Sequence, residues 1–236
     1  MNEKLRSFET KEQDMTGKNV VIVGASSGLG YALSEHLAYE GANLFLLSRS
    51  IGQKQLPFDA TALSCNLRDP ENIVEVFKEI GQRVGTVDVL VNCAGIGLTK
   101  PLHETSYDEI INTLGTNLKG VIMTSQEAYK RMLGQGYGHI VNVSSTTGIK
   151  ARDMETIYAA SKWGLRGFTE SLRMEAGKRG IRVTGVYPGG MRTAFWDGMD
   201  KDVSGYMDPA IVAGQIVHVL KSDPSICPSE VVIERS

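Results

Sequence analysis

The sequence predicts an α/β fold, a doubly wound parallel β-sheet of about seven strands with helices on both faces. Three observations predict it. Short aliphatic, β-branched runs recur along the chain; amphipathic stretches of helical length separate them; and no internal repeat, low-complexity tract or Pro/Ser-rich linker divides the 236 residues. Strands joined by crossover helices run parallel and are covered on both faces, and strands so covered read as continuous apolar runs. The length permits one large domain or two small ones. With no linker, one domain follows.

In chain order, Val20–Val23 is a β-branched run of strand type, followed by a helical pattern from Leu29 to Tyr39 that Gly41 ends. Leu44–Leu47 and Thr61–Cys65 read as strands two and three. The segment between them, Ser50 to Ala60, is too short and too broken by Gly52 and Pro57 for a full helix, and a loop or single turn is expected. Asp69-Pro70 opens a helix to about Val84, with proline at the position where its missing N–H costs nothing. Val87–Val91 is strand four, Ser106–Leu133 a long helical region and His139–Val143 strand five. Thr156–Lys178 is helical and stopped by Gly180, Ile181–Tyr187 is strand six, Pro209–Leu220 a helix and Val231–Ile233 a short last strand.

Composition excludes several classes of function. Twenty-five Lys+Arg against 27 Asp+Glu give a net charge of −2, without the basic footprint of a nucleic-acid binder or a polybasic membrane surface. No apolar run approaches the ~18 residues of a membrane span. The first fifteen residues alternate charges, lack the apolar core of a signal peptide and are expected to form a mobile arm (1–15) ahead of the single domain (16–236). Cys65, Cys93 and Cys227 are odd in number and widely spaced, and the four histidines do not cluster, which points to reduced thiols, no metal and a cytoplasmic protein. The 26 glycines, about 11% against a typical ~7%, are the compositional surplus that needs an address.

Part of it lies at Gly24-Ala25-Ser26-Ser27-Gly28-Leu29-Gly30, where strand one turns into the first helix. Glycine suits positive φ and close approach to a phosphate, and the N–H groups of a helix N-terminus meet an anion. Three glycines and two serines here point to a bound dinucleotide. The spacing G-x-x-x-G-x-G differs from G-x-G-x-x-G and resembles that of the short-chain dehydrogenase/reductase family, which implies a Rossmann fold and places Gly24, Ser26, Ser27, Gly28, Leu29 and Gly30 at the cofactor. Strand two ends Leu47-Ser48-Arg49-Ser50 without the carboxylate that reads an NAD ribose; Arg49, helped by Ser48, suits a 2′-phosphate and selects NADP(H) over NAD(H). The family often has aspartate where Asn66 stands before Leu67, and Asn66 still offers an adenine contact. Asn92-Cys93-Ala94-Gly95 resembles the family's N-x-A-G segment, which implies that Asn92, Ala94 and Gly95 line the cofactor, with Cys93 as packing.

Tyr158-Ala-Ala-Ser-Lys162 places tyrosine and lysine one helical turn apart. Ser145 precedes Tyr158 by thirteen residues, just beyond strand five, and lies three before Gly148. The resemblance implies Ser145 (Ser144 as backup), Tyr158, Lys162 and Asn117 as the catalytic set. Tyr158 would act as general acid in reduction and base in oxidation, its pKa lowered by the Lys162 ammonium; Ser145 would bond the substrate oxygen, Lys162 also the nicotinamide ribose, and Asn117 a relay water. Beyond strand six, Pro188, Gly189, Met191 and Thr193 are implied at the nicotinamide, while Arg192 faces phosphate or, preferably, solvent. The resemblance covers residues 17–193.

The substrate candidates are Ile96, Gly97, Thr147, Arg152, Met154, Phe195, Trp196, Met199 and Tyr206. Phe195-Trp196 either form a lid over an apolar substrate or cover the edge of the core, and Arg152 either meets an anionic substrate or its own neighbours. The expected function is NADPH-dependent reduction of a ketone or aldehyde to an alcohol, reversibly. The alternatives are an NAD-dependent polyol, sugar or steroid alcohol dehydrogenase, and a dinucleotide-binding sensor or scaffold without turnover. A homo-oligomer is implied, formed through the helices at Ser106–Leu133 and Thr156–Lys178.

Overall fold

The computed structural model describes residues 12–198 and 201–236. Its centre is a seven-stranded sheet in the order β3-β2-β1-β4-β5-β6-β7, parallel throughout. The strands are β1 (Asn19–Val23), β2 (Asn43–Ser48), β3 (Thr61–Ser64), β4 (Val89–Asn92), β5 (Gly138–Val143), β6 (Ile181–Pro188) and β7 (Glu230–Ile233). The helices are α1 (Gly28–Tyr39), α2 (Pro70–Arg83), α3 (Tyr107–Leu114), α4 (Gly120–Gln135), α5 (Thr156–Gly177) and α6 (Pro209–Lys221). A single 3₁₀ turn, Ile51–Gln53, fills the gap between β2 and β3.

β1 explains why its run is apolar throughout. Val20 and Ile22 enter the core layer shared with α1 and α6, whereas Val21 and Val23 enter the layer shared with α2, α4 and α5. Consecutive side chains on a strand point to opposite faces, so a sheet covered on both needs every position apolar. Helix starts follow local chemistry. Asp69 accepts from the N–H groups of Glu71 and Asn72 ahead of α2, Ser106 and Glu109 form a reciprocal capping box at α3, and Asp208 accepts from Ala210 ahead of α6.

Two expectations need correction. The long helical region is α3 and α4 joined without a break by one π-helical turn, Gly115–Lys119, which contains Asn117. Residues 1–11 of the expected arm lie outside the described residues, but from Gln13 onward the chain is docked. The Gln13 N–H donates to the Lys221 carbonyl at 2.8 Å, its side-chain amide to the Leu220 and Ser222 carbonyls, and Met15 is buried in the core. Among the described residues no helix is long and apolar enough to cross a membrane, no metal-ligand cluster forms and the three cysteines are free.

Candidate active site

A cleft of about 690 Å³ lies beyond the carboxyl ends of the strands, where the sheet order reverses between β1 and β4. The loop after β1 forms one wall, and Gly24, Ser26, Ser27, Gly28, Leu29 and Gly30 all line it. Its glycines answer first to packing. Gly24 has φ +85°, and a Cβ there would lie 2.7 Å from the Ala94 backbone; a Cβ on Gly30 would lie 2.3 Å from the Gly24 carbonyl oxygen. The loop thus folds tightly on itself and against the β4 loop, which brings Ala94 and Gly95 to the cleft. Unlike α2, α3 and α6, helix α1 has no side chain capping its N-terminus, and unlike α2 and α3 it has no acidic residue in its first turn. Its N–H donors are left to an anion. Lys54 pins this loop from outside, donating to the Ser26 carbonyl at 3.0 Å while lying 3.4 Å over the Tyr31 ring.

At the far end of the cleft stand Ser48, Arg49, Asn66 and Leu67. Arg49 is exposed, and among the described residues no carboxylate pairs with its guanidinium. The Asn66 side-chain oxygen accepts from the Arg68 N–H at 3.2 Å, which leaves its amide N–H groups for a ligand. Arg68 also lines the cleft, with its guanidinium on the Asn112 side-chain oxygen; a basic residue two beyond Asn66 was the signal for it.

Ser145, Tyr158 and Lys162 meet at the opposite end. Ser145 follows β5, and its Oγ accepts from the Thr147 N–H at 3.1 Å. Tyr158 and Lys162 project from the first turns of α5 and are 8% and 3% exposed. Burial pushes the Tyr158 phenol up to about 12, while its hydrogen bond with Ser145 pulls the other way. Burial lowers the Lys162 ammonium to about 8, offset in part by Cys93, whose own thiol burial raises to about 12. The Lys162 Nζ sits 5.7 Å from the Tyr158 ring centre and donates to the Val143 carbonyl at 3.4 Å. Ser144 is turned away, its hydroxyl donating to the Lys162 carbonyl at 3.2 Å, which leaves Ser145 as the serine beside Tyr158.

Two expected contact residues stand behind the wall rather than in it. The Asn117 side chain is buried; it accepts from the Ile96 N–H at 2.8 Å and donates to the Ile96 carbonyl at 2.9 Å and to Ser161 Oγ at 3.2 Å. Ser161 in turn donates to the Tyr158 carbonyl at 2.6 Å. With these bonds made, the Asn117 side-chain amide braces the wall behind Tyr158. Asn92 is spent on Ser125, Asn142 and Thr124 at 2.7–3.1 Å. Pro188, Gly189, Met191 and Thr193 do line the cleft, the Met191 carbonyl already accepting from the Trp196 indole at 2.9 Å. Arg192 is exposed to solvent, where it donates to the Tyr206 carbonyl and pairs with Asp208 at 3.2 Å.

Of the substrate candidates, Ile96, Gly97, Thr147, Arg152, Phe195 and Trp196 line the cleft. Met154 and Tyr206 do not, and Met199 lies outside the described residues. Tyr206 backs the wall by stacking on Trp196, 5.3 Å between ring centres, as Phe195 stacks on Tyr158 at 5.9 Å. Arg152 donates to Thr146 Oγ1 at 3.0 Å. Glu155, a buried carboxylate on the same wall, has no sequence signal, because glutamate at a helix start reads as a cap.

Comparison with known proteins agrees with this geometry. Residues 18–204 match the family model described as short chain dehydrogenase. The chain is 35% identical over 215 residues to carbonyl reductase family member 4 of Danio rerio, covering 86% of this chain and 90% of that one. It is 35% identical over 191 residues to a 3-oxoacyl-[acyl-carrier-protein] reductase of Bos taurus, covering 79% and 81%. Among solved structures, an alcohol dehydrogenase from Thermococcus sibiricus in complex with 5-hydroxy-NADP superposes with a TM-score of 0.83 at 27% identity, covering 92% of this chain and 95% of that one. A metagenomic short-chain oxidoreductase in complex with NADP gives 0.83 at 27%, covering 95% and 99%. The chain belongs to the short-chain dehydrogenase/reductase family of oxidoreductases.

Proposed function

We propose that the protein is an NADP(H)-dependent oxidoreductase that reduces a ketone or aldehyde to the alcohol, reversibly, with Tyr158 as general acid and base. The observation that carries this reading is a single cleft with Ser145, Tyr158 and Lys162 at one end and the unpaired Arg49 at the other. The residues fit the cofactor. The uncapped start of α1 suits a pyrophosphate, Arg49 and Ser48 a 2′-phosphate, and Asn66 and Leu67 the adenine; Ala94, Gly95, Pro188, Gly189, Met191, Thr193 and Lys162 suit the nicotinamide riboside. NADP in the Thermococcus and metagenomic structures supports the same choice.

When bound, the reduced nicotinamide supplies hydride to the carbonyl carbon. This chain's residues handle the oxygen. Ser145 donates a hydrogen bond to it as charge develops, and Tyr158 transfers its proton. Burial keeps the phenol protonated, as an acid must be. Asn117 is a positioning residue, acting through Ser161 on the Tyr158 backbone and through Ile96 on the cleft wall. The test is NADPH oxidation across β-keto esters, acyl thioesters, diketones, steroids and sugars: turnover that Tyr158→Phe abolishes is expected, and turnover unchanged in that variant would sink the mechanism. Exposed Trp163 and Met174 on α5 and Leu133 on α4 support homo-oligomer formation through these helices, which light scattering checks.

A further inference from the structure

One charged side chain at the substrate end of the cleft has no part in the reaction above. Glu155 is 5% exposed and lies three residues, about one helical turn, ahead of Tyr158. It occupies the N-cap position of α5, where a carboxylate ordinarily accepts the first free N–H groups, yet its side chain caps nothing. The chain reaches it through Met154, whose φ of 64° makes it the one non-glycine residue in the left-handed region among the described residues. The Lys100 N–H holds the Met154 carbonyl at 2.7 Å and fixes that turn. Glu155 Oε2 accepts from the Thr147 hydroxyl at 2.9 Å, and the side chain forms part of the cleft wall with Ser145 and Tyr158.

Among the described residues no ion pair and no second hydrogen bond reaches this carboxylate. Arg152, three residues away, is exposed and donates to Thr146 instead. A carboxylate has about four acceptor sites, and burying one with a single partner is unfavourable unless a further group satisfies it. The Glu155 side chain belongs to the substrate end of the cleft. Phe195 and Trp196 line the same cleft, the Trp196 ring with the Lys201 ammonium 5.0 Å from its centre, so the carboxylate and the Phe195 ring together offer what an organic cation needs. Solvent screens the exposed Arg152 more than the buried Glu155, and the buried Lys162 ammonium stands on the same cleft wall.

We propose that Glu155 is a specificity residue that selects carbonyl compounds bearing a cationic nitrogen close to the carbonyl group. This rests on the reductase reading above. The test compares kcat/KM for acetonyltrimethylammonium, for its uncharged carbon isostere 4,4-dimethylpentan-2-one and for the anion acetoacetate. Wild type is expected to favour the cation over the isostere by about tenfold or more. That ratio falls to near one in Glu155→Gln and is partly kept in Glu155→Asp. Because it compares two substrates on one preparation, loss of folded protein does not move it. A wild-type ratio near one, a ratio unchanged in Glu155→Gln, or a preference for acetoacetate that Arg152→Ala removes overturns the proposal. Calorimetric binding of the same compounds, with and without NADP⁺, repeats the comparison without turnover. Glu155-dependent preference in binding with no turnover would overturn the reductase reading and keep this one, whereas equal binding of cation and isostere overturns this one.

Discussion

At its dinucleotide end the cleft is formed by the loops after β1 and β4 and the first turn of α1, where glycines let the main chain pack closely, whereas at its substrate end it is lined by residues of three separate segments: Ser145 and Thr147, then Arg152, Glu155 and Tyr158, and Phe195-Trp196. Main-chain N–H groups are alike whatever residue bears them, provided that the path is sterically allowed. Around the loop after β1 the first end therefore asks for glycine where a Cβ would collide, as at Gly24 and Gly30, and keeps side-chain contacts for its far edge at Arg49 and Asn66. Side chains can be exchanged without moving the backbone, so the second end holds what is individual to this protein. One half binds by path and the other by composition.

Four measurements sharpen or break that contrast. The largest effect is expected from Tyr158→Phe, which should lower kcat/KM by about a thousandfold or more while the NADPH dissociation constant stays within a few-fold. A parallel loss of NADPH binding would mean that the two halves are not separable. Next, Arg49→Ala is expected to weaken NADPH by roughly tenfold to a hundredfold and NADH far less, since it removes a charge-assisted contact to a 2′-phosphate only. Equal losses in fluorescence titrations would show that this end, too, is read by main chain alone. Asn92→Ala leaves Ser125, Thr124 and Asn142 short of buried partners and should cost about 2 kcal/mol in denaturant unfolding. A loss of NADPH affinity without a loss of stability would return Asn92 to the cleft wall.

The smallest effect concerns Lys162. Its ammonium is lowered to about 8 by burial, so below that pH the folded protein carries a buried charge that the unfolded chain holds in water. The unfolded state binds the extra proton between pH 8 and the ordinary lysine value, and stability rises with pH across that window. Lys162→Met should thus raise Tm by a few degrees at pH 7 and by less at pH 9.5 while abolishing turnover. An advantage that grows with pH would contradict the burial argument.

The contrast also explains what the sequence made legible. The strands, the helix starts and the glycine loop were readable because each depends on neighbours in sequence: β1 by its unbroken apolar run, α2 by Asp69-Pro70. Motif position puts Asn92 and Asn117 beside the cleft without saying which side of the wall a side chain takes, and both side-chain amides lie behind it. Glu155 left no signal, since its inward course depends on a left-handed Met154 held by Lys100 from a loop 54 residues earlier. Nor does spacing report the burial that raises the Tyr158 phenol, which is a property of the assembled fold.

The π turn at Gly115–Lys119 makes the α3–α4 segment sensitive to length in a way that its composition is not. A π turn holds one residue more than an α turn, and each residue advances a helix by about 100°. Deleting a single residue there would let the segment relax to a plain helix and rotate α4 by that angle, turning Ala128 and Met132 out of the core and drawing Asn117 off Ile96. Replacing Thr116 leaves the count intact and preserves both alignments. Helix phase, set by that one extra residue, couples the packing of α4 on the sheet to the brace behind Tyr158.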